Sequence, residues 1–288
     1  MLKLFKLTLS IITALTVSSV CYQLTHGFTI ANIYPDHYFS YEAPINPQVI
    51  SVLNQPFFLF NSGYMTYAFK SRDDRYVLKL LKCHHTSLSK WRKLLPNIEF
   101  FASWNRRTLE LHQKKAFNDY LSMVTAFNEF REESRLITIN TSSGQGRFPT
   151  KITIYDAQNI PHQIDCNQVP FILQKKVEIF EDAFLKSLHH GSYLQAIHAA
   201  KRLIDLIVLR LHKGYADADF FIHKNVGWDD GEPVLLDIGS LIKKDEMSQS
   251  FMIDQVELTL QSLKKHLIPY PELLEDLSCY WEEVQATL

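Results

Sequence analysis

Short β-type runs of apolar residues fill the first half of the chain, and stripes at helical spacing fill the second half. The first three runs follow one another closely, and the segment 71–74 (SRDD) predicts a hairpin turn between the second and the third. All the runs together lie at residues 57–60, 64–69, 75–82, 135–140, 151–156 and 171–177. This order predicts a β-rich half followed by a helical half.

Helices are predicted within and after the β-rich half. Residues 103–133 lack β-type runs and predict one long helix, which Pro96 separates from a shorter one. A second long helix is predicted to be capped by Ser192 and to end at Gly214, with an apolar stripe that begins at Leu194. The remaining predicted helices are short and lie at about residues 250–266 and 271–286.

The third β-type run (RYVLKLLK) contains a lysine in an apolar setting. Alternation places Lys79 on the same face as Val77 and Leu81. Two interpretations of this lysine are open. It belongs to an edge strand and extends its ammonium to water, or it lies inside the sheet and serves a function.

The first 27 residues differ from the rest of the chain. Lys3 and Lys6 precede an uncharged run of 18 residues from Leu7 to Leu24. This pattern is typical of a secretory signal peptide, and the run is also just long enough for a membrane anchor. We therefore expect a membrane-anchored or an exported protein. If the run spans a membrane, the two lysines favour an N-terminus inside and a domain outside.

Composition narrows the classes of function. The chain has 288 residues, with 30 Lys+Arg against 31 Asp+Glu. Because it lacks the basic excess that binds phosphate backbones, we expect no nucleic-acid partner. Its nine glycines are fewer than half of the roughly twenty that average usage would give, which argues against a glycine-rich dinucleotide fold.

The segment Gly144-Gln145-Gly146 has the composition of a phosphate-binding loop. Such a loop opens a helix, whereas this segment joins the two predicted strands at residues 135–140 and 151–156. We therefore expect a hairpin turn there.

Carboxylates and an amide gather between residues 214 and 241 (GYADADFFIHKNVGWDDGEPVLLDIGSL). An Asp230-Gly231 turn predicts a small hairpin, whose two ends would bring Asn225 and Asp237 close together. Asp237 directly follows three apolar residues, so it emerges from a buried strand and requires a partner. A metal ion, a cation or an amide donor would each satisfy it, and Mg²⁺ prefers such oxygen ligands.

With these elements in this order, the chain resembles a reduced form of the protein-kinase-like fold over about residues 50–241. The segments 52–82 and 118–137 also resemble a bacterial kinase-like family with an apolar N-terminus. The resemblance implies an α+β, bilobal fold, with a β-rich N-lobe and a small helical C-lobe. An N-terminal apolar helix would precede both lobes.

The resemblance implies ATP and Mg²⁺ as cofactors and assigns residues to them. Lys79, in Val77-Leu78-Lys79, resembles the strand lysine that binds nucleotide phosphates, and Gly63 resembles a remnant of the phosphate-covering loop. Asn225 and Asp237 would hold the magnesium ion, with Asp237-Ile238-Gly239 resembling the Asp-Phe-Gly element.

The resemblance also implies a catalytic base, Asp219, which would orient or deprotonate the acceptor hydroxyl. Five residues separate Asp219 from Asn225 where kinases have four, so Asp217 is the alternative base. Glu110 and Glu129 on the long helix are both candidates to pair with Lys79.

Two functions are therefore open. One is an ATP-dependent phosphotransferase that acts on an unidentified protein or small-molecule acceptor. The other is a catalytically inactive pseudokinase that serves as a membrane-anchored or secreted protein-binding module, because the loop at 61–66 keeps a single glycine where kinases have several.

The predicted organisation has four parts. The first is the signal peptide or membrane anchor, and an irregular linker follows it. The third part is a β-rich half with inserted helices, and the fourth is a reduced helical C-lobe with the metal and catalytic loop. These parts span residues 1–27, 28–48, 49–177 and 178–288.

Overall fold

The computed structural model describes residues 2–35, 39, 41, 43–44, 47–83, 99–141, 146–149, 151–217, 222–239 and 241–288. The chain forms two compact units. The first unit comprises residues 1–120 and 136–176, and the second comprises residues 121–135 and 177–288.

The first unit is built on a seven-stranded sheet. Its strands are β1 (Phe57–Ser62), β2 (Thr66–Ser71), β3 (Tyr76–Leu81), β4 (Leu136–Asn140), β5 (Ile152–Tyr155), β6 (Pro161–Ile164) and β7 (Phe171–Lys175). They lie in the order β4-β7-β3-β2-β1-β5-β6. The β1–β5 pair is parallel and the other neighbouring pairs are antiparallel.

One face of this sheet covers an apolar core. Leu78 and Leu80 of β3 are fully buried in it together with Phe57, Phe69 and Phe171. The alternation predicted for β3 is therefore confirmed, since Leu78 and Leu80 share a face that does not carry Lys79. Among the residues that the structure describes, the helical elements of the first unit are α1 (Leu2–Thr25), a 3-10 turn (Ile30–Ile33), α2 (Pro47–Leu53) and the first part of α3 (Glu99–Glu129).

The N-terminal helix α1 is exposed and apolar. Its segment Thr8–Thr25 is 18 residues long with a mean hydropathy of 1.3, and none of it is buried. By length and composition this helix is able to span a membrane or to act as a signal sequence. The chain after it is fixed to the first unit, because Phe28 is buried against the rings of Tyr67 and Phe69.

The prediction of a hairpin between β4 and β5 is wrong. β4 pairs with β7, whereas β5 pairs with β1 and β6 on the other side of the sheet. The connection is held by amide side chains, since Asn167 bonds both the N–H and the C=O of Phe148, and Asn140 donates to the carbonyls of Cys166 and Val169. Residues 142–145, which include Gly144 and Gln145, lie outside the described residues.

The second unit is mainly helical. Its helices, besides the end of α3, are α4 (Phe180–His189), α5 (Tyr193–His212), α6 (Ile222–Asn225), α7 (Gln249–Leu267) and α8 (Pro271–Gln285). Its strands are β8 (Glu178–Ile179), β9 (Tyr215–Asp217), β10 (Val226–Asp229), β11 (Glu232–Leu235) and β12 (Leu241–Lys243). They form a three-stranded sheet, β11-β10-β8, and a two-stranded sheet, β12-β9.

Helix α5 forms the centre of the second unit's core. Leu203 and Ile204 are fully buried there among apolar residues of α4, α7 and α8. Two details differ from the expected pattern. Ser192 precedes the helix without making a side-chain cap, and Leu194 is 84% exposed rather than part of the buried stripe. Gly214 ends the helix with a φ of +85°, a left-handed conformation that suits glycine.

Candidate functional site

Lys79 lies in the middle of the first unit's sheet. It pairs with Ala68 of β2 on one side and with Ile172 of β7 on the other, and its side chain is half-buried. The edge-strand interpretation is therefore wrong. Glu110 and Glu129, the two candidate partners, both occupy exposed positions of α3.

Gly63 lies in the turn between β1 and β2. Its N–H donates to the carbonyl of Thr66 at 3.0 Å. A Cβ added at Gly63 would meet the carbonyl oxygen of Thr66 at 3.9 Å, and no other described atom lies within 4 Å of it. Its φ is also not in the left-handed region. The fold around it does not require glycine, so any such requirement would come from a ligand.

Lys82 holds this turn and was not predicted. Its ammonium donates to the carbonyl of Gly63 at 2.6 Å and to the hydroxyl of Ser62 at 2.9 Å. It also lies 4.4 Å from the ring centroid of Tyr67. Burial lowers the pKa of the Lys82 ammonium. Alternation offered a signal for this role, since Lys82 is the next residue on the core face after Leu78 and Leu80.

The predicted hairpin in the second unit is confirmed. Val226 of β10 pairs with Leu235 of β11, and the chain turns at Asp230-Gly231. Just beyond the pairs, the carbonyl of Asn225 accepts hydrogen bonds from the N–H groups of Leu236 at 2.9 Å and Asp237 at 3.5 Å. The backbones of Asn225 and Asp237 are therefore neighbours, as the sequence predicted.

Asn225 and Asp237 lie at the open end of this hairpin, and the described residues contain no group of three or more His, Cys, Asp or Glu side chains that could hold a metal ion by themselves. Asn225 is 7% exposed, whereas Asp237 is exposed and accepts a hydrogen bond from the N–H of Gly239 at 3.0 Å. Both side chains offer hard oxygen atoms, which Mg²⁺ prefers. Two protein ligands suffice when phosphate oxygens and water complete the octahedron.

Asp217, the alternative base, is buried in an ion pair. It is 6% exposed, and its carboxylate lies 3.1 Å from Nη1 of Arg210, which is 1% exposed. Burial lowers the pKa of Arg210, and the Asp217 carboxylate acts in the opposite direction. Asp217 also pairs with Leu241 in the antiparallel β9–β12 sheet. This strand pair joins the two ends of the segment that contains Asn225 and Asp237. Asp219 lies outside the described residues.

The end of α3 and the turn after it support this segment. Ser122 donates to the carbonyl of Leu241 at 2.9 Å, and Arg135 bonds the carboxylate of Asp229 at 2.9 Å. The carbonyl of Glu133 accepts from the N–H of Leu235 at 2.9 Å. Sequence reasoning missed these residues, because the two side-chain contacts join positions 119 and 94 residues apart.

No protein-family model and no curated protein matches this sequence. Among solved structures, the chain is similar to WbdD, a bifunctional kinase-methyltransferase, at 13% identity and a TM-score of 0.34, covering 77% of this chain and 45% of that one. It is also similar to Cex1p, at 10% identity and a TM-score of 0.35 over 77% of this chain and 33% of that one. The complex of Rv3197 with erythromycin from Mycobacterium tuberculosis is 13% identical, with a TM-score of 0.36 over 78% of this chain and 60% of that one.

The chain thus spans less than two thirds of the length of each of these proteins. At these TM-scores the likenesses carry no argument about function. The fold follows from the order of elements: a β-hairpin, a central strand with Lys79, a long helix, further strands, helix α5, and the β9–β12 segment with Asn225 and Asp237. The chain is thus an α+β protein with a β-rich unit, a mainly helical unit and an apolar N-terminal helix, and its elements follow the order in which the sequence resembles a reduced protein-kinase-like fold.

Proposed function

We propose that this protein is an ATP-dependent phosphotransferase. Lys79 binds the nucleotide phosphates, and Asn225 and Asp237 hold Mg²⁺. The observation that carries the proposal is the hairpin β10–β11, which sets these two oxygen-bearing side chains on hydrogen-bonded neighbouring backbones. Two oxygen-bearing side chains on adjacent backbones are a pair that can bind a magnesium ion together with phosphate oxygens.

The chemistry asked of the protein is mainly positioning and charge neutralisation. Mg²⁺, when bound, neutralises phosphate charge. The ammonium of Lys79 adds a second positive charge at the phosphates, and a half-buried position strengthens its attraction to them compared with a fully solvated one.

Asp219 is the proposed base for the acceptor hydroxyl. The ion pair with Arg210 supports this assignment over Asp217, because a base must be free to accept a proton and the Asp217 carboxylate is committed to a buried guanidinium. In the proposal Asp217 fixes β9, and Asp219 follows two residues later on the segment that β9 anchors.

In this proposal helix α1 either anchors the enzyme in a membrane or directs its export across one. The helix is either a retained anchor or a cleaved signal. Mass measurement of the N-terminus on protein recovered from its native membrane distinguishes the two, since an anchor keeps residues 1–27 and a signal loses most of them.

Thermal unfolding tests the proposal. Full-length protein in detergent should gain about 2.7 kcal/mol of stability when MgATP is present at 100 times its Kd, which corresponds to a rise in Tm of about 5 °C. Lys79→Met and Asp237→Asn should lose this gain, because each removes a proposed ligand of the phosphates or of the metal.

Asp230→Asn is the matched control. It makes the same chemical change at the turn of the same hairpin, where Asn-Gly suits the turn as well as Asp-Gly. This variant should keep the full shift. A wild-type Tm that does not respond to saturating MgATP would contradict the proposal.

A protein-binding module without catalysis is the second candidate. An open recess of about 520 Å³ in the second unit favours it, because Phe184 and Trp228 line the recess beside the exposed Leu194. This function predicts no nucleotide-dependent change in Tm. It also predicts a partner whose capture survives both Lys79→Met and Asp237→Asn.

A further inference from the structure

A fixed turn joins helix α1 to the first unit. The helix ends at Thr25, and His26 and Gly27 follow it with left-handed φ values of +51° and +67°. The N–H of Gly27 donates to the carbonyl of Tyr22, and the N–H of Phe28 donates to the carbonyl of Thr25, both at 2.9 Å. Two of the last carbonyls of the helix are therefore bonded within this turn.

Gly27 and Phe28 connect the turn to the core of the first unit. The hydroxyl of Tyr67 donates to the carbonyl of Gly27 at 2.7 Å, and the buried ring of Phe28 lies 5.1 Å from the ring of Tyr67. A Cβ at Gly27 would lie 2.4 Å from Cε2 of Tyr22, so the close approach of this ring favours glycine. Packing thus fixes the direction in which α1 leaves the first unit.

The turn between β5 and β6 lies beside the end of α1. The side-chain amide of Gln158 donates to the carbonyl of Leu24. The ring of His162 in β6 lies edge-on to the ring of Phe28, with 5.6 Å between the centroids. The β5–β6 turn and the last turn of α1 therefore form one continuous surface.

The exposed part of this surface is apolar and uncharged. Tyr22, Leu24 and Ile160 are all more than half exposed. Residues 157–161 (AQNIP) carry no charge. The neighbouring Asp156 has a side chain that is only 10% exposed, and its carboxylate lies 2.9 Å from Nε2 of His162. Charge is therefore turned inward at this edge of the unit, and apolar side chains are turned outward.

The backbone of the β5–β6 turn is hydrogen-bonded from within. The carboxylate of Asp156 accepts from the N–H groups of Gln158 and Ile160, both at 2.9 Å, and its carbonyl accepts from the N–H of Asn159 at 3.0 Å. Pro161 has no N–H. Backbone groups without a partner are costly in lipid, and these bonds remove that cost for the turn.

We propose that the β5–β6 turn, residues 157–161, is a membrane-contact surface whose Ile160 enters the lipid interface beside α1. The 18 residues of Thr8–Thr25 extend over about 27 Å, close to the thickness of the hydrocarbon core of a bilayer. Leu24 then lies at the edge of that core, and the exposed ring of Tyr22 lies where tyrosines are enriched. The turn bonded to Leu24 lies at the same depth.

This proposal requires that α1 is a retained anchor, and it does not depend on nucleotide binding. Its test uses the full-length protein in vesicles of phosphatidylcholine and phosphatidylglycerol. The exposed Cys21 and Cys279 are first replaced by alanine. A single cysteine is then introduced as Ile160→Cys, Gln163→Cys or Arg72→Cys and coupled to an environment-sensitive fluorophore.

Quenching by lipids that carry a spin label near the headgroup measures contact with the interface. The label at residue 160 should lose at least about half of its fluorescence, because an interfacial side chain lies at the depth of the quencher. The label at residue 163 should lose less, since Gln163 lies about 10 Å further along β6.

Arg72→Cys is the matched control. Arg72 is exposed like Ile160 but lies in the β2–β3 turn, at the opposite end of the strands. Its label should be quenched little. Equal quenching at residues 160 and 72 would overturn the proposal, and so would a mature protein that has lost α1. Both results would leave the proposed phosphotransferase to its own test, the thermal shift with MgATP.

Discussion

Replacing Arg210 with methionine is expected to lower the free energy of unfolding by about 3–5 kcal/mol. The Arg210 guanidinium is 1% exposed and lies 3.1 Å from the carboxylate of Asp217, which is 6% exposed. Arg210→Met would leave that carboxylate buried without the opposing charge. Chemical denaturation of the variant and the wild type in the same detergent measures the difference.

A second substitution tests whether the uncompensated charge causes the loss. Arg210→Met with Asp217→Leu replaces the buried pair by apolar side chains and should recover most of the stability. Lys201→Met is the control, because its ion pair with Asp276 is partly exposed and should contribute less than about 1 kcal/mol. A loss in Arg210→Met that is no larger than in Lys201→Met would contradict the account.

Gly227→Ala is expected to lower the free energy of unfolding by about 1–3 kcal/mol. A Cβ at Gly227 would lie 2.3 Å from Cγ2 of Val177 and 3.2 Å from the carbonyl oxygen of Glu178. Gly227 belongs to β10, between β8 and β11, so the hairpin must shift to admit the methyl group. The MgATP-dependent rise in Tm should shrink as well.

The control for this substitution is Gly63→Ala. The added Cβ there would meet the carbonyl oxygen of Thr66 at an ordinary 3.9 Å, so its stability should stay within about 0.5 kcal/mol of the wild type. Val177→Ala combined with Gly227→Ala removes the closest clash and should restore part of the loss. Gly227→Ala with wild-type stability would show that the hairpin packs less closely than the structure indicates.

The features that the sequence predicted correctly have local signals. An Asp-Gly dipeptide between short apolar runs predicted the hairpin that joins Asn225 to Asp237, and alternation predicted the two faces of β3. Each signal lies within about a dozen residues, so no knowledge of distant packing was needed.

The features that it missed depend on distant residues. Strand pairing across the sheet placed β4 and β5 apart, where proximity in sequence had favoured a hairpin. The support from Ser122 and Arg135 comes from far along the chain. Arg210 and Asp217 are only seven positions apart, but nothing in the local pattern distinguishes an aspartate that forms a buried ion pair with an arginine from a catalytic base.

The most direct test of the central claim is a calorimetric titration of the full-length protein with ATP, in the presence and in the absence of Mg²⁺. The wild type should bind ATP at least about tenfold more tightly with Mg²⁺. Asp237→Asn should remove that dependence on the metal, and Asp230→Asn should preserve it. A wild-type protein that binds no ATP with Mg²⁺, or an Asp237→Asn variant that keeps the full dependence on the metal, would contradict the account.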